Sequence, residues 1–396
     1  MGVKRKRMRK LEEQKKKVAV MKEKDFENMK LLKQDSSNNS KNEENMPILY
    51  IPVGISGCGK STWAKKECEK LRSRGVPCDI ISSDALRLEL YGNENDQMHN
   101  EEVFKELHRR LKDRLRNGIS VIVDATNLSL KNRKAYMNCV KKIPCIKKAI
   151  IFDIPLEDCI KHQDSRERKV PEEVLFRMRM KFEIPFYEEG YDNIVFFTDM
   201  VESGEYFNSV FNYWQDHMVA NVVDTEMFKK QIGFDQRTHH HIYTLDKHSL
   251  ELQKYIHKLK NPYKNDYTHN SEFSDFEYTR DIVEKVALFH DYGKLFVGMP
   301  KDDGSDEYKY FNHHNVSAYE MMLHRFEVGL TNDTDILEFL FYVNYHMMPF
   351  FIQTQKAEKK WKEIFGEWKY QWLCLFNDAD KFASGTDRHR EKGEKP

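Results

Sequence analysis

Residues 54 to 61 read Gly54-Ile55-Ser56-Gly57-Cys58-Gly59-Lys60-Ser61, a complete G-x-x-x-x-G-K-S sequence. It follows the apolar run Ile48 to Val53, which is typical of a buried strand, and precedes a stretch that is compatible with a helix. In this setting backbone N–H groups and the positive end of the helix dipole surround a phosphate group. The sequence therefore predicts a nucleoside triphosphate site, with Lys60 on the β- and γ-phosphates and Ser61 on Mg²⁺. The residues expected to contact ATP or its metal are Gly54, Gly57, Cys58, Gly59, Lys60, Ser61 and Thr62.

Length and composition indicate a soluble protein of two domains with a tail. The chain has 396 residues and a formal net charge of +1, and its seven cysteines show no C-x-x-C pairing, which suits reduced thiols in the cytoplasm. No apolar run approaches the roughly 20 residues of a membrane span. We predict a basic, polar and flexible segment over residues 1–45, a P-loop kinase domain over 46–215 and a second, mostly helical domain over 216–396. The basic residues of the tail either add affinity for nucleic acid or form a solvated arm.

Beyond the phosphate loop, short β-type runs alternate with helix-compatible segments. This alternation predicts an α/β fold with a parallel sheet, helices on both faces and ligands at the carboxyl ends of the strands. Pro52 is unusual in the first run, because proline removes a hydrogen-bond donor from a central strand. The later runs are 79–81, 119–123, 149–152 and 194–197.

Three polar segments fall at or after the ends of these runs. After the second run, Asp84 is placed to accept the proton of an attacking hydroxyl, and Arg87 to bind a substrate phosphate. The alternative is an N-cap aspartate followed by a surface arginine. After the third run, Asp124, Thr126 and Asn127 are expected to orient the acceptor substrate, unless they only form a capping turn.

The third segment, residues 155–171, contains Arg166 and Arg168. An arginine on a helix that closes over the triphosphate would neutralise charge during phosphoryl transfer. A solvated charged helix is the alternative.

Together these segments resemble the polynucleotide 5′-kinase family typified by phage polynucleotide kinase, over about residues 47 to 200. The resemblance implies that Asp84 is the general base, that Arg87 contacts the phosphate 3′ to the attacking hydroxyl, and that Arg166 acts on the β- and γ-phosphates. His162 stands where some relatives have a second lid arginine. The resemblance rests on Gly54 to Ala64, on Asp84 and Arg87, on Asp124 to Leu128, and on Arg166 with Val170-Pro171.

Histidines become frequent after about residue 220, in the part predicted to be helical. His248, the pair His290-Asp291 and the late Asp380 provide imidazole and carboxylate ligands for a divalent metal. Their order resembles the HD phosphohydrolase superfamily, which hydrolyses phosphoesters with a metal such as Mn²⁺, Ni²⁺, Co²⁺, Zn²⁺ or Fe²⁺.

Further residues of this region leave alternatives open. His313 and His346 match the ligands of a second metal in binuclear members, but each is also compatible with a structural histidine. Asp378 is an alternative to Asp380 as a ligand. The run His239 to His241 is an extra metal site, a substrate contact or a solvated linker. Residues 301–304 match the K-x-D-G of covalent nucleotidyltransferases, in a polar stretch that predicts a surface loop.

The sequence thus predicts a bifunctional end-healing enzyme. It would transfer the ATP γ-phosphate to 5′-OH ends of RNA or DNA and hydrolyse 3′-phosphate or 2′,3′-cyclic phosphate ends. One alternative is a kinase for a nucleoside or an antibiotic fused to an HD nucleotidase, and another is a nucleotide-sensing protein that binds nucleic acid. Nucleic-acid ends are the expected partners, with a separate ligase and a homo-oligomer left open, in the cytoplasm of the host cell if a phage encodes the chain.

Overall fold

The structure, a computed structural model, describes residues 46–164, 169–200, 222–263, 270–330 and 332–385. The predicted basic tail over 1–45, the arginines Arg166 and Arg168, and the predicted domain boundary at 215–216 lie outside these ranges. The boundary and the role of the tail therefore stay predictions.

The first part of the chain forms a five-stranded sheet in which all strands are parallel and the order is β2-β3-β1-β4-β5. The strands β1 and β3, at the centre, consist almost entirely of buried residues. The expected α/β fold with a parallel sheet is confirmed. The strands are β1 (Ile48–Val53), β2 (Cys78–Ser82), β3 (Ser120–Asp124), β4 (Ile146–Ile151) and β5 (Asn193–Phe196).

Helices connect these strands and cover the sheet. The helix α3 buries Val103, Leu107, Leu111 and Leu115, whose spacing of four residues forms the single apolar stripe by which a surface helix packs on a sheet. The helices of this part are α1 (Lys60–Ser73), α2 (Ser83–Tyr91), α3 (Asn100–Arg116), α4 (Leu130–Val140), α5 (Leu156–Lys161), α6 (Glu172–Arg179) and α7 (Phe197–Met200).

Pro52 lies within the central strand β1, opposite Ile150 of β4. The pairing of β1 with β3 ends before it, at Tyr50 opposite Ile122. Beyond that point the side chain of Asn127, instead of the backbone of β3, bonds to β1. Its Nδ2 donates to the Pro52 carbonyl at 2.8 Å. Proline is tolerated at position 52 because the backbone N–H that it lacks is not needed for pairing with β3.

The second part of the described chain is helical, apart from a short hairpin. Gly293, in the turn between α10 and α11, allows α12 to approach closely, because a Cβ atom there would lie 2.1 Å from the His313 carbonyl oxygen. The elements are α8 (Glu226–Lys229), α9 (Leu245–His257), α10 (Asn270–Phe289), α11 (Lys294–Val297), β6 (Met299–Pro300), β7 (Tyr308–Lys309), α12 (His313–Leu323), α13 (Asp333–Tyr345), α14 (Met348–Phe351), α15 (Gln355–Phe365) and α16 (Glu367–Ala383).

Helix α12 joins the helical part to the α/β part. Its Tyr319 hydroxyl donates to the Ile154 carbonyl at 2.6 Å. Its Glu320 accepts from the buried Arg179 at 2.9 Å. From Ile48 onward, the described residues form one compact unit.

Arg133 of α4 is fully buried and fixes the segment after β3. Its guanidinium donates to both carboxylate oxygens of Glu189, at 2.9 and 2.7 Å, and to the backbone carbonyls of Asn127 and Leu128. Neither side chain of the ion pair is exposed. Removing one partner would leave a buried charge without compensation.

We therefore expect Arg133→Ala to lower the free energy of unfolding by about 3–5 kcal/mol in urea denaturation. The exposed Arg109, which pairs with Glu106 on the surface of α3, provides the control. Arg109→Ala should change the stability by less than about 1 kcal/mol. Equal effects of the two substitutions would contradict the importance of the buried pair.

Candidate functional site

The phosphate loop connects β1 to α1 in a conformation that depends on glycine. Gly57 and Gly59 have φ angles of +88° and +95°. A Cβ atom on Gly57 would lie 2.5 Å from the Cys159 carbonyl oxygen, so a larger residue would push the loop away from α5. Lys60 is buried, and its ammonium donates to the Ile55 carbonyl at 2.7 Å across the loop.

Ser61 and Asp124 form an oxygen pair at the loop. The Ser61 hydroxyl donates to Asp124 Oδ1 at 3.0 Å. Burial raises the pKa of Asp124, and the hydrogen bond from Ser61 opposes this rise. A serine after the loop lysine and an aspartate at the end of a neighbouring strand are the groups that hold Mg²⁺ in P-loop enzymes. The position of Asp124 favours this role over the acceptor contact expected from the sequence.

Asp84 and Arg87 lie together on the first turns of α2. The Arg87 Nη1 donates to Asp84 Oδ1 at 2.7 Å, and its Nη2 donates to Asn100 Oδ1 at 2.8 Å. The side chain of Arg87 is only 7% exposed, whereas that of Asp84 is 48% exposed. The carboxylate is thus accessible while the guanidinium is held in place. The sequence reasoning missed Asn100, because nothing in a stretch of polar residues showed that its amide meets Arg87.

A cavity of about 980 Å³ brings these groups together. Of the expected acceptor residues, Asp124 and Thr126 line it and Asn127 does not. Asn127 is buried, its amide donates to the carbonyls of Pro52 and Val123, and its oxygen accepts from Tyr136. These contacts favour a structural role for Asn127. The expected site residues that line the cavity are Gly57, Cys58, Gly59, Lys60, Ser61, Thr62, Asp84, Arg87, Asp124 and Thr126.

Two other expected residues lie apart from this lining. The backbone N–H of Gly54 donates to the Thr126 carbonyl at 3.1 Å, which ties the start of the loop to the segment after β3. Arg166 is outside the described residues. His162, at the position where the resemblance implies a second lid arginine, lines the cavity with its Nδ1 2.9 Å from the Gly57 carbonyl oxygen.

A second cluster lies in the helical part and joins all six expected metal ligands. Asp291 is at its centre. Its Oδ2 is 3.3 Å from His290 Nε2 and 3.8 Å from His248 Nε2. Its Oδ1 is 2.9 Å from His313 Nε2 and 3.7 Å from His346 Nε2. Asp380 Oδ1 lies 2.9 Å from His248 Nε2 and closes the first group. The carboxylate of Asp291 therefore connects two sets of ligand atoms.

The histidine tautomers in this cluster suit a metal. The Nδ1 atoms of His290, His313 and His346 lie 3.1, 2.8 and 2.8 Å from the carbonyl oxygens of Ala287, Tyr310 and Val343. A carbonyl can only accept, so each Nδ1 carries a hydrogen and each Nε2 faces the cluster, where it can bind a metal once it carries no proton. This is the arrangement by which proteins orient metal-binding histidines. Two groups of donor atoms fit a cation, namely His248 with His290 and Asp380, and His290 with Asp291 and His346.

The cluster also needs positive charge. Asp291 and Asp380 are buried, and Lys294 contacts Asp291 Oδ2 at 2.6 Å. Burial alone would lower the pKa of His290, but the two carboxylates raise it to about 10. Burial would raise the pKa of Asp291, but His290 and Lys294 hold it well below its usual range. Buried carboxylates in such a group are stabilised by a proton or by a metal ion.

Asp380 rather than Asp378 faces the cluster. The side chain of Asp378 is 76% exposed and lies near Lys381, while that of Asp380 is 12% exposed. Apart from Asp380, the most exposed ligand is His313, at 8%. Among the six ligands, Asp380 and His313 therefore have the most solvent-exposed side chains within the part of the chain that the structure describes.

The remaining sequence motifs have separate environments. His239 contacts Glu307 at 2.9 Å on the surface. His241 packs against the His248 ring at 4.6 Å between centroids, and its Nε2 is 3.3 Å from the ammonium of Lys294. Gly304 of the K-x-D-G stretch lies in the exposed turn of the β6–β7 hairpin, as the polar sequence predicts.

Comparison with known proteins places the α/β part among P-loop domains of the kinase type. Residues 49–185 match the model of the AAA domain family. The chain is 30% identical over 166 residues to an L-seryl-tRNA(Sec) kinase of Methanococcus maripaludis, covering 42% of this chain and 64% of the relative. It is 38% identical over 85 residues to a probable adenylyl-sulfate kinase of Archaeoglobus fulgidus, covering 20% of this chain and 52% of that protein. The chain thus spans less than two thirds of the length of either curated relative.

Two solved structures show a partial likeness. One is the Pnkp1/Rnl/Hen1 complex, at 27% identity and a TM-score of 0.27, covering 30% of this chain and 39% of that chain. The other is Chaetomium thermophilum Kti12 with ADP-AlF3, at 16% identity and a TM-score of 0.33, covering 43% of this chain and 99% of that chain. Among the described residues, no helix has both the length and the apolar character that a membrane crossing requires.

The histidine–aspartate cluster yields a test that needs no substrate. We expect Mn²⁺ or Ni²⁺ to raise the thermal unfolding temperature, and a chelator to reverse the rise, because a ligand that binds only the folded state stabilises it. Asp380→Asn should weaken this response, whereas Asp378→Asn, two residues away and exposed, should keep it. A shift that is equal in both variants would show that the metal binds elsewhere.

Proposed function

We propose that this protein is an ATP-dependent kinase for 5′-hydroxyl ends of RNA or DNA, joined to a metal-dependent phosphoesterase for 3′-phosphate or 2′,3′-cyclic phosphate ends. One observation carries the kinase assignment. The accessible carboxylate of Asp84 lines the same cavity as Lys60 of the phosphate loop and the Ser61–Asp124 pair. A base, a triphosphate site and a metal site therefore meet in one space.

The kinase reaction follows from the roles these groups can take. Asp84 accepts the proton of the acceptor hydroxyl, whose oxygen attacks the γ-phosphorus of ATP as the bond to the ADP oxygen breaks. Lys60 exchanges its bond to the Ile55 carbonyl for phosphate oxygens. Ser61 and Asp124 would hold the Mg²⁺ that neutralises the phosphate charge. Arg87 keeps Asp84 oriented towards the cavity.

The volume and the charge of the cavity support an acceptor substrate that carries phosphate. Its volume of about 980 Å³ exceeds what the phosphate groups alone require. The similarity to a seryl-tRNA kinase also supports an acceptor hydroxyl that is attached to RNA. The lining contains more cationic side chains than carboxylates. The cations are Lys60, Lys66, Lys70 and Arg87, and the carboxylates are Glu67, Asp84 and Asp124.

The helical part supports phosphoester hydrolysis through its donor atoms. His248, His290, Asp291 and Asp380 would hold one divalent cation, and Asp291 with His313 and His346 a second. A bound metal supplies a Lewis acid and an activated water. Lys294, in contact with Asp291, provides a fixed positive charge for a phosphoryl oxygen. Because the ligand side chains are almost completely buried, the substrate phosphate has to reach the centre through a narrow approach, as a chain end can.

Asp84→Asn should remove the kinase base while leaving ATP bound. We expect kcat for phosphorylation of a 5′-OH oligonucleotide to fall by about 100-fold to 10,000-fold, the usual contribution of a general base. Asp113→Asn, on the surface of α3, is the control and should keep full activity. Transfer from labelled ATP measures the effect, and unchanged transfer in Asp84→Asn would remove Asp84 from the mechanism. Competition between the oligonucleotide and a mononucleoside separates this function from a small-molecule kinase.

His290→Ala should abolish the release of phosphate from 3′-phosphate and 2′,3′-cyclic phosphate RNA ends, because His290 would be a ligand of the first cation. The kinase activity of the same variant reports whether the protein has folded, and it should stay within about twofold of the wild type. Metal-dependent release that persists in His290→Ala would contradict the phosphoesterase assignment.

A further inference from the structure

Arg87 is held by two side chains of different charge. Its Nη1 contacts the carboxylate of Asp84, and its Nη2 contacts the neutral amide of Asn100. Its Nε is buried and has no hydrogen-bond partner within the described part of the chain. The guanidinium is therefore fixed at its two terminal nitrogens, each of which has a second hydrogen for another acceptor.

Asn100 is itself anchored from the other side. Its Nδ2 donates to the backbone carbonyl of Gln97 at 2.8 Å and to the Gln97 side-chain oxygen at 3.1 Å. It is also the first residue of α3, whose buried stripe attaches the helix to the sheet. Gln97 lines the cavity next to Arg87. A chain of hydrogen bonds thus runs from Gln97 through Asn100 and Arg87 to Asp84.

We propose that Asn100 is the positioning residue for the acceptor phosphate, acting through Arg87; this inference rests on the proposed kinase function. An arginine side chain loses considerable conformational freedom when it is fixed, so a second anchor lowers the cost of presenting its guanidinium in one orientation. Asp84, which is half exposed, cannot provide that anchor alone. With Asn100 as the second anchor, the Arg87 guanidinium keeps the same orientation with and without a bound substrate.

The neutral side chain of Asn100 favours the binding of a phosphate at Arg87. Arg87 and Asp84 together carry no net charge, and an amide oxygen holds the guanidinium without adding a negative charge. A carboxylate at position 100 would accept the same hydrogen bond, but it would leave the group with a net negative charge that repels a phosphate. The substrate class that this arrangement fits is a nucleoside or oligonucleotide 5′-OH acceptor with a 3′-phosphate group.

The test is a double-mutant cycle of Asn100→Ala with Arg87→Ala. Its ligand is a nucleoside 3′-monophosphate, with the matched nucleoside lacking phosphate as comparison, and binding is measured in the presence of a non-hydrolysable ATP analogue. We expect Asn100→Ala to weaken binding of the 3′-monophosphate by about 10-fold, the usual effect of losing one hydrogen bond to a charged group, and to change that of the nucleoside by less than about twofold. In the Arg87→Ala background, Asn100→Ala should have no further effect.

Two variants control for folding and for charge. Asn117→Ala, at the other end of α3, should bind like the wild type. Asn100→Asp keeps the accepting oxygen but adds charge, so it should weaken binding of the 3′-monophosphate and spare the nucleoside. In turnover, kcat/KM for the 3′-monophosphate should fall in Asn100→Ala while KM for ATP stays unchanged.

Three results would overturn the inference. They are additive effects of Asn100→Ala and Arg87→Ala, equal weakening of the nucleoside and its 3′-monophosphate, or no binding of the 3′-monophosphate by the wild type. A wild type that binds the 3′-monophosphate with the expected cycle but transfers no phosphate would instead refute the proposed kinase function and uphold the role of Asn100.

Discussion

The strand order β2-β3-β1 is the constraint on which the α/β site depends. Lys60 and Ser61 follow β1, Asp124 ends β3, and Asp84 follows β2. Because parallel strands bring their carboxyl ends to one edge, residues that are more than sixty positions apart, such as Ser61 and Asp124, form a hydrogen bond. The side chains of the candidate site are thus brought together by the backbone pairing of apolar strands.

The phosphate loop was predictable from the sequence because its chemistry is local. A strand, two glycines with positive φ angles and a helix are adjacent in the chain, and each leaves its own pattern. The sequence predicts that Asn127 orients the acceptor substrate, because it follows Asp124 by three residues. Its actual partners, the carbonyls of Pro52 and Val123, include one from another strand. The same holds for Asn100, whose contact with Arg87 depends on how α2 and α3 pack.

In the helical part, the helical periodicity of the sequence distinguishes the two candidate ligands, Asp378 and Asp380. Trp372, Phe376 and Asp380 are four residues apart on α16, and all are buried. Asp378 falls between them and therefore lies on the opposite, exposed face of the helix. Other features were not predictable. The Nδ1 contacts of the histidines depend on where individual carbonyl groups lie. The two-sided position of Asp291 depends on the packing of α10 against α13 and on the close approach of the turn after α10 to α12.

Helix α12 begins at His313 of the histidine–aspartate cluster and contacts the wall of the cavity at the phosphate loop about two turns later. Tyr319 donates to the carbonyl of Ile154, a residue of that wall, and Glu320 pairs with the buried Arg179. Aromatic contacts between Phe186 and Phe341 extend the junction. Removing the helical part would leave a buried arginine and a backbone carbonyl without partners and would expose an aromatic surface, which costs several kcal/mol. The α/β part of this chain is therefore built against its helical part, and the stability of the cavity at the phosphate loop depends on both.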